Sequence, residues 1–384
     1  MKILHTSDWH IGKKLMGRDR YDEFRAVLSE IGEICVSEKI ELVLVAGDIF
    51  DTYTPSAEAE KIFYEGIKKI SKNSAVLIIS GNHDDYVRLT AAAEIAQDCN
   101  VYIIGNNLQA VKCNGNFAVR PVESQSGYVI FENAVGERLY VNVLPYPNEA
   151  RFKEGKTDES FTVKMTRWIE FGERGKTENI PSVFLSHIFV AGGKVGDGER
   201  EIDLGGARLV SMQTLPDCGY CALGHLHRRQ KLGKNAYYCG AIMQFSFDEA
   251  GAEKSVNVFD IDCDGVKNFK TVALRSSKNL IRLQANGASA GVELSQKYPE
   301  NYVELTLNLT QPLTPNESSA LHECENIISL KANVASEDEK DVHISNKDKC
   351  SSQLFTDYFK SEYGCAPSEE LLGLFLSLTE TEEE

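Results

Sequence analysis

No stretch of this 384-residue chain approaches the roughly 18 consecutive apolar residues that a membrane-spanning helix needs, which excludes a helical membrane protein. The opening MKILHTSDWH turns polar too soon to form the apolar core of a secretory leader. A cytoplasmic location is therefore expected, with the ten cysteines kept as reduced thiols. Internal repeats are absent. Bases are in short supply, 41 against 57 acids, and a net charge of −16 argues against a protein that coats nucleic acid. The deficit is local, however. Residues 310–384 hold 16 acids and 5 bases, a net of −11, which leaves only −5 for residues 1–309. An anionic substrate is thus not excluded for the first three quarters. At 42% hydrophobic and 26% charged residues the composition is that of an ordinary globular protein, and the length suits two or three domains.

Apolar patterning divides the chain. MKILHTS, ELVLVAG (41–47) and SAVLIIS (74–80) read as buried strands. Between the first two, Phe24, Val27, Leu28, Ile31, Ile34 and Cys35 recur at helical spacing. Between the next two, Ala59, Ile62, Phe63, Ile67 and Ile70 do so after a helix start expected at Thr54-Pro55. Such strand–helix–strand units predict parallel pairing. From about residue 117 short alternating runs predict a more β-rich section, with a hairpin turn at Gly136. Further core strands are expected at PSVFLSH, YCALGHLH, AYYCGA and VNVFDID, and Asp264-Gly265 turns the last one. The pattern predicts an α/β fold over 1–275. A small β-α-β-α-β domain follows over 276–335, then a polar linker over 336–349. Two short helices are expected in 350–384, carrying Leu354, Phe355, Tyr358 and Phe359 on the first and Leu371, Leu372 and Phe375 on the second. Such short helices cannot bury both apolar faces alone, so they dock on the main domain or on another protein's helices.

The chemistry-bearing residues fall at predicted strand ends: Asp8-Trp9-His10, Gly47-Asp48, Gly81-Asn82-His83-Asp84, Ser186-His187 and Gly224-His225-Leu226-His227. Ligands of open α/β sheets bind beyond the carboxyl ends of the strands, so five such ends can share one pocket. Carboxylates, an amide oxygen and imidazoles suit a pair of Mn²⁺, Fe²⁺ or Zn²⁺ ions better than Ca²⁺ or Mg²⁺ alone. The i, i+2 spacing of D-x-H and H-x-H places both side chains on one side of an extended segment. Glycines before Asp48, Asn82 and His225 are expected to let the backbone turn sharply. D-x-H and a strand-terminal G-D are commonplace alone; G-N-H-D and G-H-x-H are more telling, since Asn-His-Asp after a buried strand has no packing rationale, and the ordered set at five strand ends argues more strongly than any member.

The combination D-x-H, G-D, G-N-H-D, H and G-H-x-H resembles the calcineurin-like metallophosphoesterase superfamily. HTSDWHIGKKL, VAGDIFDTYTPS, SGNHD, ALGHLHRRQ and CGAIMQFSFDE extend the likeness to its branch of bacterial nuclease subunits that work with an SbcC-type coiled-coil ATPase. The strong motifs cover 1–90 and 183–250; elsewhere the likeness is one of layout. The resemblance implies a β-sandwich flanked by helices, a small α+β cap domain that binds DNA, and a C-terminal helical pair that binds the ATPase. It also implies a homodimer of the nuclease domain within a heterotetramer, acting at the nucleoid on DNA ends in repair, recombination and replication. Asp8, His10 and His227 would hold one metal, and Asn82, His187 and His225 the other. Asp48 would bridge the two ions, Mn²⁺ by preference, and His83 would stand unliganded as a catalytic group. Archaeal relatives carry a histidine about where Asp51 stands, so no catalytic role is carried over to it.

Lys13, Lys14, Arg18, Arg20, Arg88, Arg228 and Arg229 follow the motifs closely and are expected to contact DNA phosphates. Two lookalikes fail. Gly155-Lys156-Thr157 and Gly175-Lys176-Thr177 lack the earlier P-loop glycine, since Ala150 and Glu170 occupy its place. Cys218-x-x-Cys221 has no second cysteine pair and is expected to be structural. Two other functions stay open: a small-nucleotide phosphodiesterase on the same fold, and a scaffold without metals.

Overall fold

The computed structural model describes residues 1–148, 151–152, 159–195 and 209–334, together with Phe355, Thr356, Phe359, Pro367, Ser368, Leu371 and Leu372. Its compact units are Met1–Asn333 and Val334–Glu384.

The first sheet is built on strands with almost no polar interruption. β1 (Lys2–Thr6), β2 (Leu42–Ala46), β3 (Ala75–Ile79) and β4 (Val101–Ile104) pair in parallel. Both faces of such strands are covered, which explains their continuous apolar character. The crossovers are α1 (Tyr21–Ser37) and α2 (Ala57–Ile70), then the short α3 (Tyr86–Leu89) and α4 (Ala93–Gln97). Every residue of the two predicted helical stripes is buried, among them Phe24, Leu28, Ile62 and Phe63. The start of α2 differs from expectation. Ser56, in extended conformation, caps it by accepting from Ala59 N, so Thr54-Pro55 lies in the approach rather than in the helix.

The second sheet supplies the facing layer. It contains β5 (Arg120–Gln125), β6 (Tyr128–Glu132), β7 (Arg138–Leu144), β8 (Ser182–His187), β9 (Tyr220–Gly224), β10 (Gln230–Leu232) and β11 (Ala236–Tyr238), in the order β10-β11-β9-β8-β7-β6-β5. Strands β7, β8, β9 and β11 are parallel neighbours, and α5 (Phe161–Glu173) precedes β8. Two further strands, β12 (Ser255–Asp262) and β13 (Gly265–Ala273), return to the first sheet, whose order is β13-β12-β1-β2-β3-β4.

Ile3, Leu42, Leu44, Leu77, Val141, Val183, Leu185 and Phe259 fill the space between the sheets. Leu4, Val43, Val45, Val76 and Ile78 point the other way, onto α1 and α2. Met165, Trp168 and Ile169 of α5 cover the outer face of the second sheet. The architecture is a β-sandwich flanked by helices, mixed α/β as expected.

The predicted β-α-β-α-β segment is present as β14 (Leu280–Asn286), α6 (Ala288–Ser295), β15 (Tyr302–Leu309), α7 (Pro315–His322) and β16 (Ile327–Val334), with sheet order β14-β15-β16. Thr314 and Glu317 form a reciprocal capping box at the start of α7. This sheet has its own core around Val303, Leu305 and Leu307, while Leu280 packs with Leu15 and Phe247 of the sandwich.

In Val334–Glu384, Phe355, Thr356, Phe359, Leu371 and Leu372 are helical, and the Phe355 and Phe359 rings lie 6.0 Å apart. Leu354, Tyr358 and Phe375 lie outside the described residues, as do 335–349 and Gly155-Lys156-Thr157. Among the described residues no helix is long and apolar enough to cross a membrane.

Candidate metal centre

Strands β1, β2, β3, β8 and β9 all end at the same edge of the sandwich, and each passes directly into a motif. The loops are tied together by main-chain hydrogen bonds: Asp8 N donates to Gly47 O (3.0 Å) and His10 N to Asp48 O (3.0 Å). The D-x-H segment is not extended as expected. Asp8 (φ 52), His10 (φ 44) and Asp48 (φ 53) all take the left-handed conformation, and His225 has φ 104. Non-glycine residues in that region are strained by about 1–3 kcal/mol each and persist where the surroundings hold them, often at functional sites. The glycines also act differently from expectation. Only Gly47 has positive φ (86). Gly81 and Gly224 are needed for room: a Cβ on Gly81 would lie 2.1 Å from Asp48 Oδ1, and one on Gly224 1.9 Å from Ala46 O.

The seven side chains of the predicted centre converge. Donor atoms of Asp8, His10 and His227 all lie within 4.8 Å of one another, as do those of His10, Asp48 and His83, and of Asp8, Asp48 and His187. His10 Nε2 and His227 Nε2 face each other at 3.1 Å. Asn82 Oδ1 lies 2.8 Å from His187 Nε2 and 3.1 Å from His225 Nδ1. Asp48 Oδ2 stands between the two groups, 3.4 Å from Nε2 of both His10 and His187. Asp8, His10, Asp48, Asn82 and His187 are buried, while His225 and His227 are partly exposed.

Neighbours fix each ligand candidate. His187 Nδ1 donates to Ala46 O (2.8 Å) and so turns Nε2 inward. Asp8 accepts from Ser7 Oγ and from His225 N (2.9 Å). His83 N donates to Asp48 Oδ1 (2.8 Å), and its Nδ1 donates to Asp51 O (2.8 Å), which leaves Nε2 available. Burial alone would raise the Asp48 carboxyl, but His187, His10 and His83 hold it well below the usual range. Burial would lower His187; facing Asp48 it is instead raised to about 9. Burial keeps His10 neutral, lowered to about 4 despite Asp51 and Asp48.

These residues fit divalent cations. Two imidazole nitrogens pointing at each other, a buried carboxylate shared by two rings and an amide oxygen shared by two more make a poor hydrogen-bond network. They make a good oxygen–nitrogen donor set. No cysteine sulfur joins the groups that could hold a metal among the described residues. Cys218 and Cys221 instead contact each other, 3.4 Å apart, with Cys221 buried in β9.

The sequence patterns assign no role to several supporting residues. Asp84 is buried and accepts from Ile49 N, Phe50 N and Gly81 N, joining two loops. Burial, then Asp48, raises it to about 6. Arg151 is buried and donates to Gly81 O and Asp84 O (2.8 Å each). Glu249 is buried beside Lys254 and 3.5 Å from His227 Nδ1. Only Asp84 and Glu249 lie within quoted motifs; Arg151 stands in a stretch with no pattern.

The bases scatter more widely. Lys13 pairs with Asp51 (2.9 Å) at the edge of the centre, and Lys14 is exposed beside Asp19 (3.1 Å). Arg18 donates to Glu325 O, Arg88 to Glu60, Arg228 to Asp248 O and Arg229 to Thr271. Arg20 is a correction. Its side chain has no exposed surface and is spent on Glu23 and Gln244 O, so it has no atom to offer a phosphate.

Comparison with known proteins agrees with this geometry. Residues 1–229 match the family described as calcineurin-like phosphoesterase. The chain is 34% identical to the SbcD component of nuclease SbcCD from Bacillus subtilis (strain 168) over 409 aligned positions, covering 100% of this chain and 99% of the relative. It is 30% identical to the same component from Rhodobacter capsulatus over 75% of this chain and 73% of the relative. With that from Staphylococcus epidermidis it shares 26% over 94% and 93%. The family and the clustered donors together imply divalent metal ions at this centre. The chain belongs to the calcineurin-like phosphoesterase family and, within it, to the SbcD components of SbcCD nucleases.

Proposed function

We propose that the protein is a Mn²⁺-dependent DNA nuclease, an exonuclease on double-stranded ends and an endonuclease on single strands or hairpins. It would act with an SbcC-type ATPase in DNA end processing, repair, recombination and replication, in the cytoplasm at the nucleoid. The observation that carries this reading is Asp48 Oδ2, 3.4 Å from the inward nitrogens of both His10 and His187. One carboxylate thereby joins two donor groups. Asp8, His10 and His227 would hold one ion, and Asn82, His187 and His225 the other. Bound there, two divalent ions would polarise the phosphodiester and lower the pKa of a water.

His83 supplies the remaining group. Its ring stands against that of His10 (centroids 4.7 Å apart) and, unlike the buried His10 and Asp48 beside it, is partly exposed. With Nδ1 committed to Asp51 O, its Nε2 is the atom that delivers a proton to the leaving oxygen. Lys13, Lys14, Arg18, Arg88, Arg228 and Arg229 would position the DNA backbone without reading bases.

The domain assignment follows: a nuclease domain over 1–275, a DNA-binding cap over 276–335, a linker over 336–349 and an ATPase-binding helical segment over 350–384. A homodimer of nuclease domains within a heterotetramer is part of the same reading. It is tested by assaying the purified chain on labelled duplex DNA and on a chromogenic phosphodiester, with Mn²⁺ and then with EDTA, alone and with the partner ATPase. EDTA-sensitive cutting of DNA is expected. Hydrolysis of the small diester alone would favour a nucleotide phosphodiesterase, and inertness towards both a metal-free scaffold.

A further inference from the structure

We propose that Asp51 and Glu249 are positioning carboxylates, set behind His10 and His227, that raise the metal affinity of this half of the centre. The inference rests on the metal reading above and deepens it. His10 and His227 bring their Nε2 atoms together at 3.1 Å. Each turns its other ring nitrogen onto a carboxylate: His10 Nδ1 lies 3.4 Å from Asp51 Oδ1, and His227 Nδ1 lies 3.5 Å from Glu249 Oε1. Of the other group, His187 backs onto an uncharged partner, the main-chain oxygen of Ala46.

Both carboxylates are themselves held. Glu249 is buried, paired with the buried Lys254, and accepts from Phe245 N (3.3 Å); Lys254 also donates to His227 O (3.0 Å). Asp51 pairs with Lys13 (2.9 Å), and its main-chain oxygen fixes His83. An anion behind a ligating imidazole fixes the ring and makes the inward nitrogen a better donor, worth about 10- to 100-fold in metal affinity. Both separations exceed those of close charge-assisted hydrogen bonds. The carboxylates therefore work chiefly through their field and by blocking ring rotation, so the lower end of that range applies. A neutral carbonyl orients a ring without adding charge.

The test is titration of the full chain with Mn²⁺, followed by calorimetry and by the electron paramagnetic resonance signal of free Mn²⁺. The wild type is expected to bind in two steps, and Asn82→Ala to lose one of them, which assigns the remaining step to His10 and His227. Asp51→Asn, which keeps the main-chain contact to His83, should weaken only the step that Asn82→Ala retains, by about tenfold. Glu249→Gln should do the same. Glu249→Gln combined with Lys254→Met repeats that measurement without an unpaired buried ammonium. A merely structural role would lower thermal stability or both steps together. Unchanged affinities in Asp51→Asn and in both Glu249 variants, or selective loss of the step that Asn82→Ala removes, would overturn the inference while leaving the metal reading intact. Failure of the wild type to bind Mn²⁺ would overturn both.

Discussion

Replacing Gly224 by alanine adds one methyl group where the end of β9 lies against the end of β2. The backbone of Gly224 needs no special conformation; the constraint is space. The new Cβ would sit 1.9 Å from Ala46 O and 2.8 Å from His187 Nδ1, while real Cβ contacts keep at least 3.0 Å. The end of β2 or of β9 must therefore retreat by about 1 Å. Ala46 O is the acceptor that orients His187, and Gly224 directly precedes His225, so the retreat moves two ligand candidates at once. Overpacking of this size costs about 1–3 kcal/mol of stability. A displacement of about 1 Å in a catalytic constellation costs about 100-fold in rate. Gly136→Ala is the matched control. It forces alanine into φ 84 with no atom within 4 Å of the added carbon, so it should cost about 1 kcal/mol and leave activity unchanged. Urea melts, Mn²⁺ stoichiometry and hydrolysis of a chromogenic phosphodiester read all three quantities. Wild-type turnover and metal content in Gly224→Ala would refute the claim that this contact sets the geometry of the centre.

His83→Ala should bind Mn²⁺ with wild-type stoichiometry and lose about 10²–10⁴-fold in turnover; loss of a metal instead would make His83 a ligand. Arg151→Met strips partners from Gly81 O and Asp84 O and should cost about 2 kcal/mol or more, with faster amide exchange over 81–85. Burial would raise the Glu249 carboxyl, but His227 and Lys254 lower it to about 2 from 4.5. A depressed acid stabilises the fold above its unfolded pKa, and that contribution is lost as pH falls. Chelator-treated wild type should therefore lose up to about 3 kcal/mol more than Glu249→Gln/Lys254→Met between pH 5 and about 2 in urea melts. Thiol labelling of the native protein should modify the exposed Cys99, Cys113 and Cys263 and spare Cys35, Cys221 and Cys239; burial pushes the Cys35 thiol up to about 12. Rapid labelling of Cys35 would show that α1 does not pack as described.

Strand and helix identities were legible in the sequence because burial imposes a period. The continuous apolar runs of β1, β2 and β3 and the stripe from Phe24 to Cys35 are the residues that the packed interior buries. The seven ligand candidates were legible for a different reason: imidazoles and carboxylates immediately after buried strands cannot be explained by packing. The start of α2 was misplaced because Thr54, Pro55 and Ser56 all carry start signals, and only the side-chain bond from Ser56 to Ala59 N separates them.

What the sequence determined by itself was the list of elements and the donors each one carries to its end. Tertiary structure alone decided the distances between strands that are far apart in the chain. It placed Asp48 against His187, drew Asp51 and Glu249 behind the histidines, and buried Arg20 away from any phosphate. Periodicity reports which face of an element is dry, a local property. The meeting of two loop ends depends on sheet register and on the room left by Gly81 and Gly224, which no single segment encodes.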